Sequence, residues 1–136
     1  MEIDIRPGGP DDIPAVLSLW SDAAAPTSTD DAEGVGALLV RDPGALLVAE
    51  SSGRIVGTVI AAWDGWRGSV YRIAVAPTFR RKGLGRRLLD EAENRLRRMG
   101  ARRMHAIVVE TDPQALGFWQ ASEWERQGSQ LRFTRG

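Results

Sequence analysis

A cluster of basic residues and two glycines occupies one short segment of the chain. It reads Arg80-Arg81-Lys82-Gly83-Leu84-Gly85-Arg86-Arg87, and no carboxylate follows before Asp90. A helix start exposes unpaired N–H groups and the positive end of the helix dipole, so its first turn usually carries Asp or Glu. A bound anion makes the basic arrangement favourable, because the N–H groups donate to phosphate oxygens and glycine lets the backbone approach closely. We therefore predict a phosphate-binding turn at residues 80–86.

The spacing of the glycines excludes two common phosphate motifs. No Gly-Lys-Ser/Thr sequence is present, as a P-loop would require. Leu88 stands where the dinucleotide pattern G-x-G-x-x-G would have its third glycine. The remaining interpretations are a different phosphate ligand, which we favour, and a solvated basic turn with flexible glycines.

The elements that must position this turn follow from hydrophobic spacing and breaker residues. In chain order we predict a strand at residues 3–5, helices at 11–20 and 30–40, strands at 45–50, 54–62 and 69–75, a long helix at 83–99, a strand at 104–109, a short helix opened by Asp112-Pro113, and a last strand at 125–135. Residues 51–53 are predicted to form a hairpin turn. The loop at residues 21–29 is either a substrate lid or an ordinary connector.

The long helix is the clearest of these elements. Its apolar residues form one stripe, which comprises Leu88, Leu89, Ala92, Leu96 and Met99, and Gly100 is expected to end it. Only the segment from Val70 through this helix to Val109 has the order strand, long helix, strand that is typical of a crossover connection. The predicted fold class is therefore α/β, with one domain over residues 1–136 and a mixed, mainly antiparallel central sheet flanked by helices.

Composition narrows the functional classes. The chain has 136 residues, 43% of them hydrophobic, and no cysteine, which excludes disulfides, thiolate zinc sites and a cysteine nucleophile. Acidic residues at the N-terminus argue against a signal peptide, and no apolar run approaches the ~20 residues of a membrane span. We expect a cytoplasmic protein that is not embedded in a membrane.

The charges are segregated along the chain although the net charge is zero. Residues 1–64 carry 11 acidic and 3 basic side chains, whereas residues 80–103 carry 10 basic and 3 acidic ones. One part of the protein is therefore suited to a polyanion and another part to a cation.

The basic turn resembles a known family signature. Arg80-x-x-Gly83-x-Gly85, preceded by the strand Ile73-Ala74-Val75-Ala76-Pro77, is similar to the Q/R-x-x-G-x-G/A motif of the GNAT superfamily of acyl-CoA-dependent N-acetyltransferases. The element order and the opening Ile5-Arg6-Pro7 with Asp12-Ile13 extend this resemblance over nearly the whole chain.

The resemblance implies a site for acetyl-CoA as cosubstrate. The backbone of Ile73, Ala74 and Val75 would pair with the pantetheine arm as an added strand does. The pyrophosphate would be held by the turn, which comprises Arg80, Arg81, Lys82, Gly83, Leu84, Gly85 and Arg86. The family implies acetyl transfer to an amine acceptor.

The C-terminal part departs from the family pattern. Where the family has N-x-x-A-x-x-x-Y-x-x-x-G-F, this chain has Asp112-x-x-Ala115-x-x-x-Trp119-x-x-x-Glu123-Trp124. Asp112 can still cap a helix. The family's tyrosine often protonates the departing CoA thiolate, whereas the indole of Trp119 donates a hydrogen bond but does not ionise usefully. Trp119 is therefore assigned to cosubstrate binding, by packing on the thioester or positioning its sulfur.

Transfer also requires removal of a proton from the amine and stabilisation of an oxyanion. A backbone N–H in residues 73–75 is a candidate for the oxyanion. We favour a relay through water molecules without one dominant base, and among side chains Glu110 is our preferred base, with Asp64 and His105 as further candidates. Tyr71 faces either the acceptor or the core.

The acidic N-terminal half suggests a cationic amine, either a small molecule or a peptide. Trp63 and Trp66 flank Asp64 and form either an acceptor-binding wall or a hairpin or subunit contact. The principal alternative function is a non-catalytic acyl-CoA-binding regulatory module. We do not expect a nucleic-acid partner or a metal, and a homodimer is one option that the sequence leaves open.

Overall fold

The computed structural model describes residues 2–23, 30–108 and 112–136. It divides into two compact units, Met1–Ala106 and Ile107–Gly136. The prediction of one domain over the whole chain stays a prediction. Among the described residues, no helix is both long and apolar enough to span a membrane.

The first unit contains the sheet. Its strands are β1 (Asp4–Pro7), β2 (Leu46–Ser51), β3 (Arg54–Trp63), β4 (Gly68–Val75) and β5 (Met104–Ala106), in the spatial order β1-β2-β3-β4-β5. The first three pairings are antiparallel, and β4 pairs with β5 in parallel. The predicted α/β class with a mixed, mainly antiparallel sheet is confirmed.

The helices of this unit lie on both faces of the sheet. They are α1 (Ile13–Ala23), α2 (Ala32–Arg41) and α3 (Leu84–Met99), with short 3₁₀ turns at Pro10–Asp12 and Pro77–Phe79. Thr58 of β3 contacts Trp20 of α1, whereas the adjacent Gly57 lies against Leu88 of α3. Because side chains alternate across a strand, α1 and α3 cover opposite faces.

One apolar cluster joins α1 and α2 to the sheet. Its buried members are Val16, Leu19, Trp20, Val35, Leu39, Leu46, Val48, Ile60 and Ala74. On the other face, a Cβ added at Gly68 would lie 2.8 Å from Leu96 Cδ1, so only glycine permits α3 to approach this closely. Four of the five residues of the predicted stripe on α3 are buried and fix the helix along β3 and β4, whereas Met99, at the end of the helix, is 39% exposed.

The second unit contains α4 (Pro113–Gln120), capped by Asp112 as predicted. The predicted strand at residues 125–135 is wrong, because residues 121–136 form turns and irregular backbone only. Leu131 and Phe133, the large apolar residues near the end of this segment, are 83% and 90% exposed. The described part of this unit contains no strand that could pair with the segment, and an unpaired strand leaves its backbone polar groups without ladder partners.

An ion-pair network fixes the first strand and the turn after it. The Arg6 guanidinium donates to Asp12 Oδ2 at 2.8 Å and to Glu50 Oε1 at 2.8 Å, and Asp12 Oδ2 also accepts from the Gly9 N–H at 2.8 Å. The hydrogen bond from Arg6 lowers the pKa of Asp12 below its ordinary value. The network thus connects β1, the 3₁₀ turn and β2.

We expect Asp12→Asn to lower the free energy of unfolding by about 1 kcal/mol at pH 7, because it removes a charged hydrogen-bond acceptor at the protein surface. Since the folded-state pKa of Asp12 is depressed, the contribution is present above the unfolded pKa of about 3.9 and is lost as the pH falls through the folded-state value. Urea unfolding of both proteins at pH 7 and pH 3 measures this. An equal difference at the two pH values would contradict the assignment.

Candidate functional site

The outer edge of β4 is partly open. The ladder between β4 and β5 covers Gly68 to Val70, whereas β4 itself continues to Val75. Within the described sheet, the segment from Tyr71 to Val75 therefore pairs only with β3. The predicted residues Ile73, Ala74 and Val75 all lie on this segment, and Ala74 is buried in the α1 and α2 cluster.

The chain between β4 and α3 folds back on the end of the strand. Pro77–Phe79 forms the 3₁₀ turn, with the Phe79 N–H donating to the Ala76 carbonyl at 2.8 Å. Arg80 Nε donates to the Val75 carbonyl at 3.1 Å. The structure therefore brings Arg80 next to the predicted strand residues.

The start of α3 has the geometry expected of an anion site. Gly83 is the N-cap residue with φ 79°, and Arg81 is also left-handed with φ 63°. No described side chain caps this end, and the first turn contains no acidic residue. The Arg87 N–H donates to the Gly83 carbonyl at 3.1 Å, which leaves Leu84, Gly85 and Arg86 as the N–H groups that precede the helical ladder.

The basic side chains of the turn have different surroundings. Arg86 pairs with Asp90 at 3.3 Å across one helical turn, and the Lys82 ammonium lies 5.6 Å from the centre of the Phe79 ring. Arg81 and Lys82 are exposed. Exposed pairs of this kind contribute only about 0.3–0.5 kcal/mol, so an anion could displace them at small cost.

Asp112 and Trp119 lie in the second unit. Asp112 Oδ1 accepts from the Gln114 and Ala115 N–H groups at 3.1 Å each, which accounts for this residue as a helix cap. The Trp119 ring contacts the Trp124 ring edge-on, with 4.8 Å between ring centres, and also the Phe118 ring. Within this unit Trp119 therefore has a packing role.

The candidate bases differ in their surroundings. Glu110 lies outside the described residues. Asp64 Oδ1 accepts from the Arg67 and Trp66 N–H groups at 2.7 and 2.8 Å, and this donation lowers the pKa of Asp64 below its ordinary value. A carboxylate stabilised in its ionised form by a turn is a weak base, so Asp64 is better explained as a turn residue.

His105 and Tyr71 lie on neighbouring strands. His105 Nε2 is 2.9 Å from the hydroxyl oxygen of Ser69, its partner across the parallel ladder. Tyr71 is 46% exposed, so it does not belong to the core. Both remain accessible groups beside the open edge of β4.

The two tryptophans near Asp64 each contact another part of the chain, and Trp66 is still 69% exposed. The guanidinium of Arg67 covers the Trp66 ring at 4.0 Å from its centre, while a Cβ added at Gly100 would lie 3.8 Å from the Trp63 ring. The Trp66 ring therefore has a neighbour in the turn between β3 and β4, and the Trp63 ring has one at the end of α3.

Sequence reasoning missed an irregularity in β4. Thr58 of β3 is opposite Ala74, and Ile60 is opposite Tyr71, so two residues of β4 face the single residue Val59. This β-bulge lies at Arg72 and Ile73, and Arg72 has φ 53°. The one local signal was the hydroxyl of Thr58 within an otherwise apolar strand.

Sequence comparison finds the family. A profile described as the acetyltransferase (GNAT) family matches residues 13–123. An acetyltransferase of Pectobacterium atrosepticum is 35% identical over 124 residues, which cover 90% of this chain and 88% of that protein. An acetyltransferase of Yersinia enterocolitica is 32% identical over 126 residues, covering 92% and 89%.

Solved structures show the same fold. An aminoglycoside 6'-N-acetyltransferase from Acinetobacter haemolyticus matches with a TM-score of 0.80 at 15% identity, over 98% of each chain. A predicted acetyltransferase from Clostridium acetobutylicum, crystallised with acetyl-CoA, matches with a TM-score of 0.77 at 13% identity, over 98% of this chain and 96% of that one. These matches and the family profile do not favour the non-catalytic alternative, and they identify the chain as a member of the GNAT superfamily and an N-acetyltransferase.

Proposed function

We propose that this chain transfers the acetyl group of acetyl-CoA to a primary amine by direct attack in a ternary complex. The observation that carries the proposal is the start of α3, where a left-handed Gly83 without a side-chain cap precedes a first turn that has no carboxylate. Such a helix end is unfavourable without an anion and favourable with one. The pyrophosphate of CoA supplies that anion.

The rest of acetyl-CoA would follow the open edge of β4. Its pyrophosphate accepts from the N–H groups of residues 84–86, with Arg81 and Lys82 close enough in sequence to contribute charge. Its pantetheine arm pairs with the backbone of Ile73 to Val75, where the described sheet offers no further strand. This pairing is β-strand addition, which uses main-chain hydrogen bonds that any extended amide can make.

The chemistry requires a neutral amine. Its lone pair attacks the thioester carbonyl, the C–N bond forms, and the carbonyl oxygen becomes an oxyanion. When the oxyanion collapses the C–S bond breaks, the nitrogen loses a proton, and the CoA thiolate gains one. We retain Glu110 as the proposed base, and we assign Trp119 to positioning rather than to proton donation, because its indole does not ionise usefully.

We propose a cationic acceptor, because residues 1–64 carry 11 acidic and 3 basic side chains and would attract such an amine. One structural neighbour was solved with a bisubstrate analogue of CoA and an acetylated neamine, at 18% identity, and this describes that protein only. We also propose that residues 1–136 act as one N-acetyltransferase domain, because the family profile runs across both units.

Acetyl-CoA at about 100 times its dissociation constant is expected to raise the free energy of unfolding by about 2.7 kcal/mol. Thermal unfolding with and without the ligand measures this increase. Free CoA and 3′-dephospho-CoA retain the pyrophosphate and should also stabilise the protein. Pantetheine lacks the pyrophosphate and should not do so at the same concentration. If acetyl-CoA and both CoA forms leave the unfolding temperature unchanged, residues 80–86 do not form a CoA site.

A matched pair of substitutions at Gly83 tests the anion site. Asn and Asp both tolerate the left-handed backbone at this position, and their side chains are nearly the same size. Without ligand, Gly83→Asp should be as stable as Gly83→Asn or more stable by about 0.3–1 kcal/mol, because a carboxylate favours a helix start. With CoA the order should reverse, with affinity for Gly83→Asp weaker by on the order of 10-fold or more, because the carboxylate repels the pyrophosphate.

Calorimetric titration with CoA measures the affinity of each variant, and urea unfolding measures the free energy of unfolding of each. Equal CoA affinities for the two variants would contradict binding of the pyrophosphate at the start of α3.

A pair of substitutions at Trp119 separates packing from proton donation. Trp119→Phe loses contact with Trp124, and Trp119→Tyr loses similar contact but adds a hydroxyl that can act as an acid. If the missing acid limits the rate, turnover by Trp119→Tyr should exceed that by Trp119→Phe by about 10-fold or more, with equal affinity for acetyl-CoA. Thiol release with a panel of primary amines measures turnover. Equal rates for the two variants would mean that protonation of the thiolate does not limit the reaction.

A further inference from the structure

The β-bulge in β4 is held by a buried hydrogen-bond chain. The indole Nε1–H of Trp20 donates to the hydroxyl oxygen of Thr58 at 2.8 Å, and that hydroxyl donates to the main-chain carbonyl of Arg72 at 3.0 Å. Thr58 is fully buried, and Trp20 is 3% exposed. This series of hydrogen bonds therefore connects α1, through β3, to the bulge of β4.

The direction of this chain follows from the chemistry of its groups. An indole N–H can only donate, so the Thr58 oxygen must accept from Trp20. The hydroxyl has a single proton, and its other hydrogen-bond partner, the Arg72 carbonyl, can only accept. The proton of Thr58 is thus directed at Arg72, and the orientation of that carbonyl is set by a residue of the neighbouring strand.

A fixed carbonyl also fixes the next amide. Arg72 and Ile73 share a planar trans peptide, in which the carbonyl and the N–H point in opposite directions. Since the Arg72 carbonyl points towards Thr58 on β3, the Ile73 N–H points away from β3. On that side β4 has no ladder partner in the described sheet, because its pairing with β5 ends at Val70.

The side chain of Arg72 fixes the bulge from the same face. Its guanidinium forms an ion pair with Asp30, including a 3.2 Å hydrogen bond from Nε to Oδ1, and lies 5.6 Å from the centre of the Trp20 ring. Both charged side chains are largely buried, at 16% and 9% exposure. These contacts hold a residue other than glycine at φ 53°, a conformation that is otherwise unfavourable.

We propose that Thr58 is a positioning residue, which acts through the Arg72 carbonyl to direct the Ile73 N–H at the thioester oxygen of bound acetyl-CoA. The inference rests on the proposed function, in which a main-chain N–H of residues 73–75 stabilises the oxyanion, and deepens it by naming the side chain that holds this donor in place. A donor fixed before the reaction stabilises the developing charge most strongly, because it need not reorient.

The test uses the full-length protein with acetyl-CoA labelled with ¹³C at the carbonyl carbon. A hydrogen bond to the carbonyl oxygen moves the ¹³C resonance downfield, so this signal reports the Ile73 contact whether or not an acceptor amine is known. Thr58→Val keeps the shape of the side chain but loses the hydroxyl, and Thr58→Ser keeps the hydroxyl. Ser51→Ala removes another buried hydroxyl, at the end of β2, and serves as the control.

We expect the downfield shift on binding in the wild type, Thr58→Ser and Ser51→Ala, and a smaller shift in Thr58→Val. Affinity for free CoA, which has no acetyl carbonyl, should be the same in all four proteins. With an acceptor identified from the panel of primary amines, Thr58→Val should lower kcat by about 10- to 100-fold and leave the KM for acetyl-CoA within about 3-fold. Thr58→Ser should retain the wild-type kcat.

Three results would overturn the inference, and they separate it from the proposed function. A wild-type protein that does not bind acetyl-CoA overturns both. Binding with no shift of the carbonyl resonance overturns the role of Ile73, and an equal shift in Thr58→Val overturns the role of Thr58. If Thr58→Val does not fold, Trp20→Phe replaces it, because phenylalanine retains an aromatic ring but lacks the donor that orients the hydroxyl. An unchanged shift there likewise overturns the positioning chain.

Discussion

The close packing of α3 on the sheet is the constraint on which the rest of the candidate site depends. Gly57 and Gly68 leave no side chain between the sheet and Leu84, Leu88 and Leu96, so the helix axis lies close to β3 and β4. The start of the helix then follows the end of β4 after a loop of only eight residues, 76–83. In the proposed function, an anion at the helix start and an extended group along β4 would thereby be parts of one continuous ligand.

The two faces of β3 and β4 differ in this arrangement. The face towards α3 is apolar and positions the helix, whereas the face towards α1 carries Thr58 of β3 and its hydrogen-bond partners at the bulge of β4. Polar groups in a buried layer are costly unless each has a partner. Trp20, Thr58 and the Arg72 carbonyl are each satisfied by a neighbour, and the irregular backbone of the bulge lies where the described part of the sheet has no further strand.

The four α-helices, the five strands of the described sheet and the basic turn were predictable because their signals are local. The apolar stripe of α3, the cap at Asp112 and the glycine at residue 83 each reflect a rule that spans a few residues. The bulge was not predictable, because it depends on contacts among Trp20, Thr58 and Arg72, which are distant in sequence. The segment at residues 125–135 shows the converse: alternation of apolar residues indicates a strand only where a partner strand exists.

The left-handed conformation of Arg72 has a further consequence for the energetics of catalysis. In water, the dipoles around a reacting thioester must rotate as negative charge develops, and this reorganisation forms part of the activation barrier. A peptide dipole held both by Thr58 and by the anchored Arg72 side chain has little freedom to rotate. If this dipole faces the thioester as proposed, the cost of orienting it is met when the chain folds and does not recur in each catalytic cycle.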